Sequence, residues 1–146
     1  MAQLQISDAP EAVDLDVVHR FLAEQSTWAR GIPRAVVERA VANSLCFSAR
    51  EAGRFVGFAR VVTDRATYAW LCDVFVVDEA RGRGISSALM QAVCAHPELQ
   101  GLRRFTLATS TAPWLYEKYG FAALAKPEIW MERFDAAVYQ RQTPPA

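Results

Sequence analysis

The stretch Asp73–Met90, DVFVVDEARGRGISSALM, decides how the rest of the chain is read. Residues 74–77 are apolar without interruption and rich in valine, as a strand buried on both faces would be. Asp78 and Glu79 end the run, and Arg81, Gly82, Arg83 and Gly84 follow. From Ile85 the period lengthens. Ile85, Ala88, Leu89, Ala92 and Val93 fall on one helical face, and the helix stops near His96 and Pro97. A helix start leaves amides unpaired and carries a partial positive charge. Glycine lets the backbone take a positive φ and come close to a ligand. Ser86 and Ser87 add hydroxyls in the first turn. Such a turn suits a pyrophosphate, held by the amides of about residues 82–87 with Arg81 and Arg83 beside them.

Two common phosphate-binding patterns do not fit. A P-loop needs GxxxxGK followed by Ser or Thr, and no such run exists. The dinucleotide fingerprint needs a third small position, where Ser87 stands, and an acid some twenty residues on, where Arg103 and Arg104 stand. On this stretch alone, a solvated basic turn that merely starts a helix stays open.

Working outward, LQIS reads as a first strand and PEAVDLDVVHRFLAEQS as a helix, with Val13, Val17 and Phe21 at four-residue spacing. Pro33 stands where a second helix, RAVVERAVANS, can begin. Residues 45–77 are three strands broken at EAGR and TDRAT, an antiparallel meander whose third member, Tyr68–Val77, is central. After the 84–96 helix, RRFTLAT is a strand, APWLYEKYG a short helix closed by Gly120, and FAAL and EIWMERF the last strands. This order predicts an α/β fold: a mixed, mostly antiparallel sheet with helices on both faces and one parallel crossover. Residues 1–140 are expected to form a single domain and 141–146 a polar, mobile tail.

The chain of 146 residues is 52% hydrophobic and 22% charged, which excludes a disordered polymer. Lys+Arg and Asp+Glu both number 16, so bulk attraction to nucleic acid or to an anionic membrane is not expected. The RGRG turn has local charge but no interleaved aromatics, which again speaks against nucleic acid. Cys46, Cys72 and Cys94 lie in apolar runs without metal-ligand spacing, so free thiols, a reducing compartment and no metal are expected. MAQLQISDAP has neither a basic start nor an apolar core, and no apolar run approaches about 18 residues. These features predict a cytoplasmic protein.

VFVVDEARGRGISSALM resembles the acetyl-CoA signature of the GNAT N-acetyltransferase superfamily, an apolar strand and then Q/R-x-x-G-x-G/A opening a helix. Arg81, Gly84 and Ser86 fill its named positions, with Ser86 where the family usually has Gly or Ala. WLYEKYGF resembles the second signature, a helix with Tyr four residues before Gly-Phe. The two stand in family order and separation, and the element order matches over about residues 3–134. FARVVTDRATYAWLCDVFV, HPELQGLRRFTLAT and LYEKYGF together look like a bacterial subgroup of small, stand-alone GNAT proteins. The resemblance implies acetyl-CoA as co-substrate and central strands that splay apart. It also implies transfer of an acetyl group to a primary amine by direct attack in a ternary complex.

It further implies site residues. Arg81, Gly82, Arg83, Gly84, Ile85, Ser86 and Ser87 would hold the pyrophosphate, and the edge of Val74, Phe75 and Val76 would bind the pantetheine arm like an added strand. An N–H near Val76 would face the thioester oxygen. Thr109 stands where many members use Asn for the arm. Tyr116 holds the position of the general acid, with Tyr119 as decoy; a phenol of pKa ~10 is well matched to a thiol of ~8.5. Asp73, the only carboxylate of the 68–77 strand, is a candidate base or amine anchor, or else a strut paired with Arg60. A regular strand puts Asp73 on the face opposite Trp70, Cys72 and Val74, so only a bulge brings it to the same cleft. Trp28 and Trp70 are candidate walls of an acceptor pocket, although a large aromatic is more usually a core residue or loop anchor. The default acceptor is a small-molecule amine. The alternatives are a protein N-terminus or lysine, or a non-catalytic acyl-CoA sensor. A monomer and a homodimer both stay open.

Overall fold

The computed structural model describes residues 3–141. Strand β1 (Leu4–Ser7) leads into helix α1 (Leu15–Arg20), which begins when the Asp14 carboxylate accepts the Val17 amide at 3.2 Å. The helix expected over residues 10–26 is therefore divided. A 3-10 turn at Pro10–Ala12 precedes α1, and a wide π turn at Phe21–Gln25 follows it. Buried Ser26 closes that turn by donating to the Leu22 carbonyl at 2.6 Å and accepting from the Ala29 amide at 3.0 Å. Helix α2 (Arg34–Ala42) starts on Pro33, as expected.

The meander follows as β2 (Leu45–Glu51), β3 (Arg54–Thr63) and β4 (Tyr68–Val76). Asp64 builds the TDRAT turn, its Oδ1 accepting the amides of Ala66 at 2.9 Å and Thr67 at 2.7 Å. Helix α3 (Ile85–Ala95) then crosses over to β5 (Arg104–Thr106), which pairs parallel with β4. Helices α4 (Pro113–Glu117) and α5 (Val138–Arg141) complete the regular elements. The sheet order is β1-β2-β3-β4-β5, antiparallel except for the last pair.

Helices cover both faces, each with its own core. On one, Ala49, Val61 and Leu71 meet Ile85, Leu89, Met90 and Val93 of α3. On the other, Cys46, Phe58 and Phe75 meet Val18, Phe21, Leu22 and Val37. Phe21 stacks on Phe75 at 4.0 Å, which ties the end of α1 to the C-terminal end of β4. Gly57 lets α3 lie close against β3, since a Cβ there would stand 3.0 Å from Ile85 Cγ2.

Two expectations fail. FAAL and EIWMERF form no strands: between Gly120 and α5 the only helical turn is the 3-10 turn at Pro127–Ile129. A strand needs a ladder partner, and among the described residues none pairs with this segment. Of the expected tail, 141–146, Arg141 is the last residue of α5. Its remainder, 142–146, lies outside the described residues. No helix among the described residues is long and apolar enough to cross a membrane.

Candidate active site

Strands β4 and β5 bond only between Tyr68–Trp70 and Arg104–Thr106. Beyond Trp70 and Thr106 they part, and a cleft of about 810 Å³ opens between residues 71–76 and 107–112. The Val77 amide bonds inward to the Val56 carbonyl at 2.9 Å. Ladder alternation therefore turns the Val76 N–H toward the opening. Val74, Phe75 and Val76 all line the cleft, as do Arg81, Ser86, Thr109 and Tyr116.

The glycine-arginine turn closes one end. Gly82 and Gly84 take φ of 79° and 77°, and Gly84 is the N-cap of α3. A Cβ at either would meet nothing within 4 Å, so the dihedral rather than the space demands glycine. Among the described residues no partner occupies the amides of residues 82–87; the first satisfied amide is that of Ala88, bonded to the Gly84 carbonyl at 3.1 Å. The two arginines separate. Arg81 faces the cleft, 3.1 Å from Asp78. Arg83 turns away to pair with Glu51 and to donate to the Glu79 carbonyl at 2.9 Å. The Ile85 side chain is buried under α3, which leaves only its backbone for a phosphate.

Tyr116 stands at the wall between the two diverging strands. Helix α4 ends in a Schellman cap: Gly120, at φ 89°, donates to the Glu117 carbonyl at 3.1 Å, and Phe121 to the Tyr116 carbonyl at 3.3 Å. The cap brings the Phe121 ring edge-on to Tyr116 at 6.3 Å. The Gly-Phe pair of the motif is thus the device that fixes the tyrosine. Burial raises the Tyr116 phenol above its ordinary pKa, and its hydroxyl has no hydrogen-bond partner among the described residues. The Tyr119 hydroxyl, by contrast, is spent on the Ser87 carbonyl at 3.2 Å.

Asp73 departs from the regular-strand expectation. It has φ 52°, and the β3–β4 register slips between Phe58/Phe75 and Arg60/Cys72. This bulge brings Asp73 to the same cleft as Trp70 and Cys72. Both its oxygens are engaged: Oδ2 accepts from Arg60 Nε and Oδ1 from Trp28 Nε1, each at 2.8 Å. The pair is partly buried, with side-chain exposures of 10% for Asp73 and 15% for Arg60. Burial works against the Arg60 charge, but Asp73 and the nearby thiols outweigh it and keep the guanidinium above its ordinary pKa. Arg60 also donates to Ser44 Oγ at 3.1 Å. Cys46 and Cys72 flank Arg60 in the ladder, and burial pushes both thiols up to about 12. They are neutral thiols at physiological pH.

Trp28 and Trp70 are both about half exposed and both line the cleft near Asp73. Thr109 spends its hydroxyl on the Ala112 amide at 3.1 Å, so it shapes the loop as well as lining the opening. Sequence reading missed Gln25, Cys72 and Ser44. Gln25 reaches the cleft through the π turn, for which no sequence signal exists, and the other two follow from the register with Arg60.

The family model for the acetyltransferase (GNAT) domain matches residues 42–123, more than half of the chain. A crystal structure of a GNAT-family protein from Xanthomonas campestris pv. campestris is 50% identical, with a TM-score of 0.92, and the match covers 95% of this chain and 98% of that one. The uncovered share is shorter than the irregular C-terminal segment, so the likeness extends into that segment. A structure from Clostridium acetobutylicum, described as an acetyltransferase with acetyl-CoA, is 15% identical with a TM-score of 0.64 over 92% of this chain and 96% of that one, a likeness of fold. A Gibberella zeae protein described as an acetyltransferase is 26% identical over 135 residues, 77% of this chain and 75% of that one. With its splayed strands, its bare helix start and its matched domain, the chain belongs to the GNAT acetyltransferase family.

Proposed function

We propose that this acetyltransferase moves the acetyl group of acetyl-CoA to the primary amine of a small molecule, by direct attack in a ternary complex. The observation that carries the reading is Tyr116, whose hydroxyl has no hydrogen-bond partner among the described residues and which lines the same cleft as Arg81 and Ser86 of the bare-amide turn. A sensor of acyl-CoA has no use for a proton donor held in that place, and for this reason catalysis is preferred to binding alone.

The residues divide the work as follows. Amides 82–87 and Arg81 take the pyrophosphate. The open edge at Val74–Val76 takes the pantetheine arm, and the Val76 N–H faces the thioester oxygen as negative charge develops there. The amine nitrogen attacks the carbonyl carbon, so a C–N bond forms and the C–S bond breaks. Tyr116 gives its proton to the departing sulfur, and the proton lost by the nitrogen leaves through water and restores the balance. Each Asp73 oxygen keeps a lone pair beyond its present bond, enough to accept from the amine and orient it between Trp28 and Trp70. Asp73 is thus an anchor for the acceptor. The cytoplasm, where buried thiols stay reduced, is the proposed place of action.

Thiol release from acetyl-CoA across a panel of small amines, peptide N-termini and lysine side chains tests the proposal. Turnover with a small amine is expected. Turnover confined to peptides would replace the substrate class. Calorimetric binding of acetyl-CoA with no turnover on any acceptor would establish the sensor instead.

A further inference from the structure

Asp73 does not act alone in the cleft. Its Oδ2 accepts from Arg60 Nε and its Oδ1 from Trp28 Nε1, each at 2.8 Å. Arg60 does not itself line the cleft, and it also donates to Ser44 Oγ at 3.1 Å. The thiols beside Arg60 in the ladder, Cys46 and Cys72, are pushed up to about 12 by burial and carry no charge at neutral pH. Among the described residues that line the cleft, Asp73 and Arg81 are the charged ones, and Arg81 belongs to the phosphate turn, paired with Asp78. The acceptor therefore meets a carboxylate whose charge a guanidinium already balances.

The walls around that carboxylate are aromatic. Trp28 is fixed twice: its N–H is spent on Asp73, and its ring leans on Phe21 at 6.5 Å, which in turn stacks on Phe75. Trp70 lines the same cleft from β4. Its ladder partner Val62, and Tyr68 two residues back on the same face of the strand, are exposed as well. The apolar surface thus continues past Trp70, and two half-exposed indoles suit a flat ring.

An alkylamine at neutral pH is an ammonium ion, and it must lose a proton before it can attack. An indole face attracts such a cation. Here, however, the Arg60 guanidinium repels it, and it would give up its hydration to share a carboxylate that is already paired. An amine bonded directly to an aromatic ring arrives neutral, because the ring draws in the nitrogen lone pair. It can donate an N–H to Asp73 while its ring lies against the indoles.

We infer that the acceptor is a weakly basic aromatic amine, its nitrogen attached to the ring, and that Arg60 sets this choice by balancing Asp73. The inference rests on the acetyl transfer proposed above and adds the class of acceptor. The ring nitrogen substituent attacks, a C–N bond forms and the C–S bond breaks. Tyr116 protonates the sulfur, and the proton displaced from nitrogen returns to Tyr116 through water. Arg60 touches no reacting atom; it is a positioning residue that acts through Asp73.

Thiol release from acetyl-CoA with matched pairs of ring-substituted anilines and benzylamines, at neutral pH, tests this. The anilines should lead in kcat/KM by at least about tenfold, although the neutral benzylamines are the better nucleophiles. Arg60→Gln, which keeps a donor and removes the charge, should shrink that lead by about tenfold, chiefly by lowering KM for the benzylamines. A merely structural role would slow both series alike and leave the ratio unchanged, which would overturn the part given to Arg60. Trp70→Ala should raise KM for the anilines by roughly tenfold and spare kcat. A lead for the benzylamines in the unaltered chain overturns the inference and leaves transfer to small amines standing. Absence of turnover with every small amine overturns both. Should Arg60→Gln fail to fold, the ratio in the unaltered chain and the KM of Trp70→Ala decide.

Discussion

At the scale of single residues, the question is which of two tyrosines three positions apart does chemistry. Tyr119 is spent on a helix carbonyl, and Tyr116 has no such partner among the described residues. Tyr116→Phe should lower kcat at least about tenfold with little change in acetyl-CoA affinity, whereas Tyr119→Phe should leave kcat within about twofold. Since burial raises the Tyr116 pKa, the acid form survives to higher pH than a free phenol's ~10. The basic limb of the kcat profile set by this group should accordingly lie above that value. Asp73 gives a second test. An anchor predicts that Asp73→Asn raises KM for the amine and leaves the shape of the pH profile intact; loss of a limb would make Asp73 the base. Both substitutions sit in motifs or runs that the sequence marks plainly, but the hydrogen bonds that separate catalyst from decoy come from distant elements.

At the scale of elements, backbone conformation carries the function. Gly84 starts α3 in a left-handed conformation, within a turn whose amides 82–87 have no partner among the described residues. Gly84→Ala costs about 1 kcal/mol in stability for that dihedral, and titration calorimetry should show weaker acetyl-CoA binding. Gly57 acts by closeness. Its Cβ position is 3.0 Å from Ile85 and 3.2 Å from Leu89, so Gly57→Val should push α3 off the sheet. Urea unfolding should show a loss of about 1–3 kcal/mol. The first glycine was legible, because strand, turn and helix follow one another in the sequence. The second was not, because nothing local in RFVGFAR tells which helix will lie on it.

At the scale of the whole molecule, the site exists because the sheet fails to stay closed. β4 pairs with β3 along most of its length and with β5 for only three residues, and the cleft is the resulting gap. The second gap, beyond β5, is where two expected strands did not form.

Local pattern determined much by itself: the alternation of helices and strands, the anion-binding turn, and the Tyr-x-x-x-Gly-Phe motif, whose glycine and phenylalanine close the helix end that orients Tyr116. These depend on residues near one another in the chain, so their physics is written locally. Only the tertiary structure decided that Asp73 turns through a bulge to meet Arg60 and Trp28, that Arg83 leaves the phosphate turn for Glu51, and that 121–134 finds no strand partner within the described chain. Each is a pairing across long sequence separation. Its outcome depends on which charges and backbone edges remain unmet once the two cores have formed, and no local pattern records that.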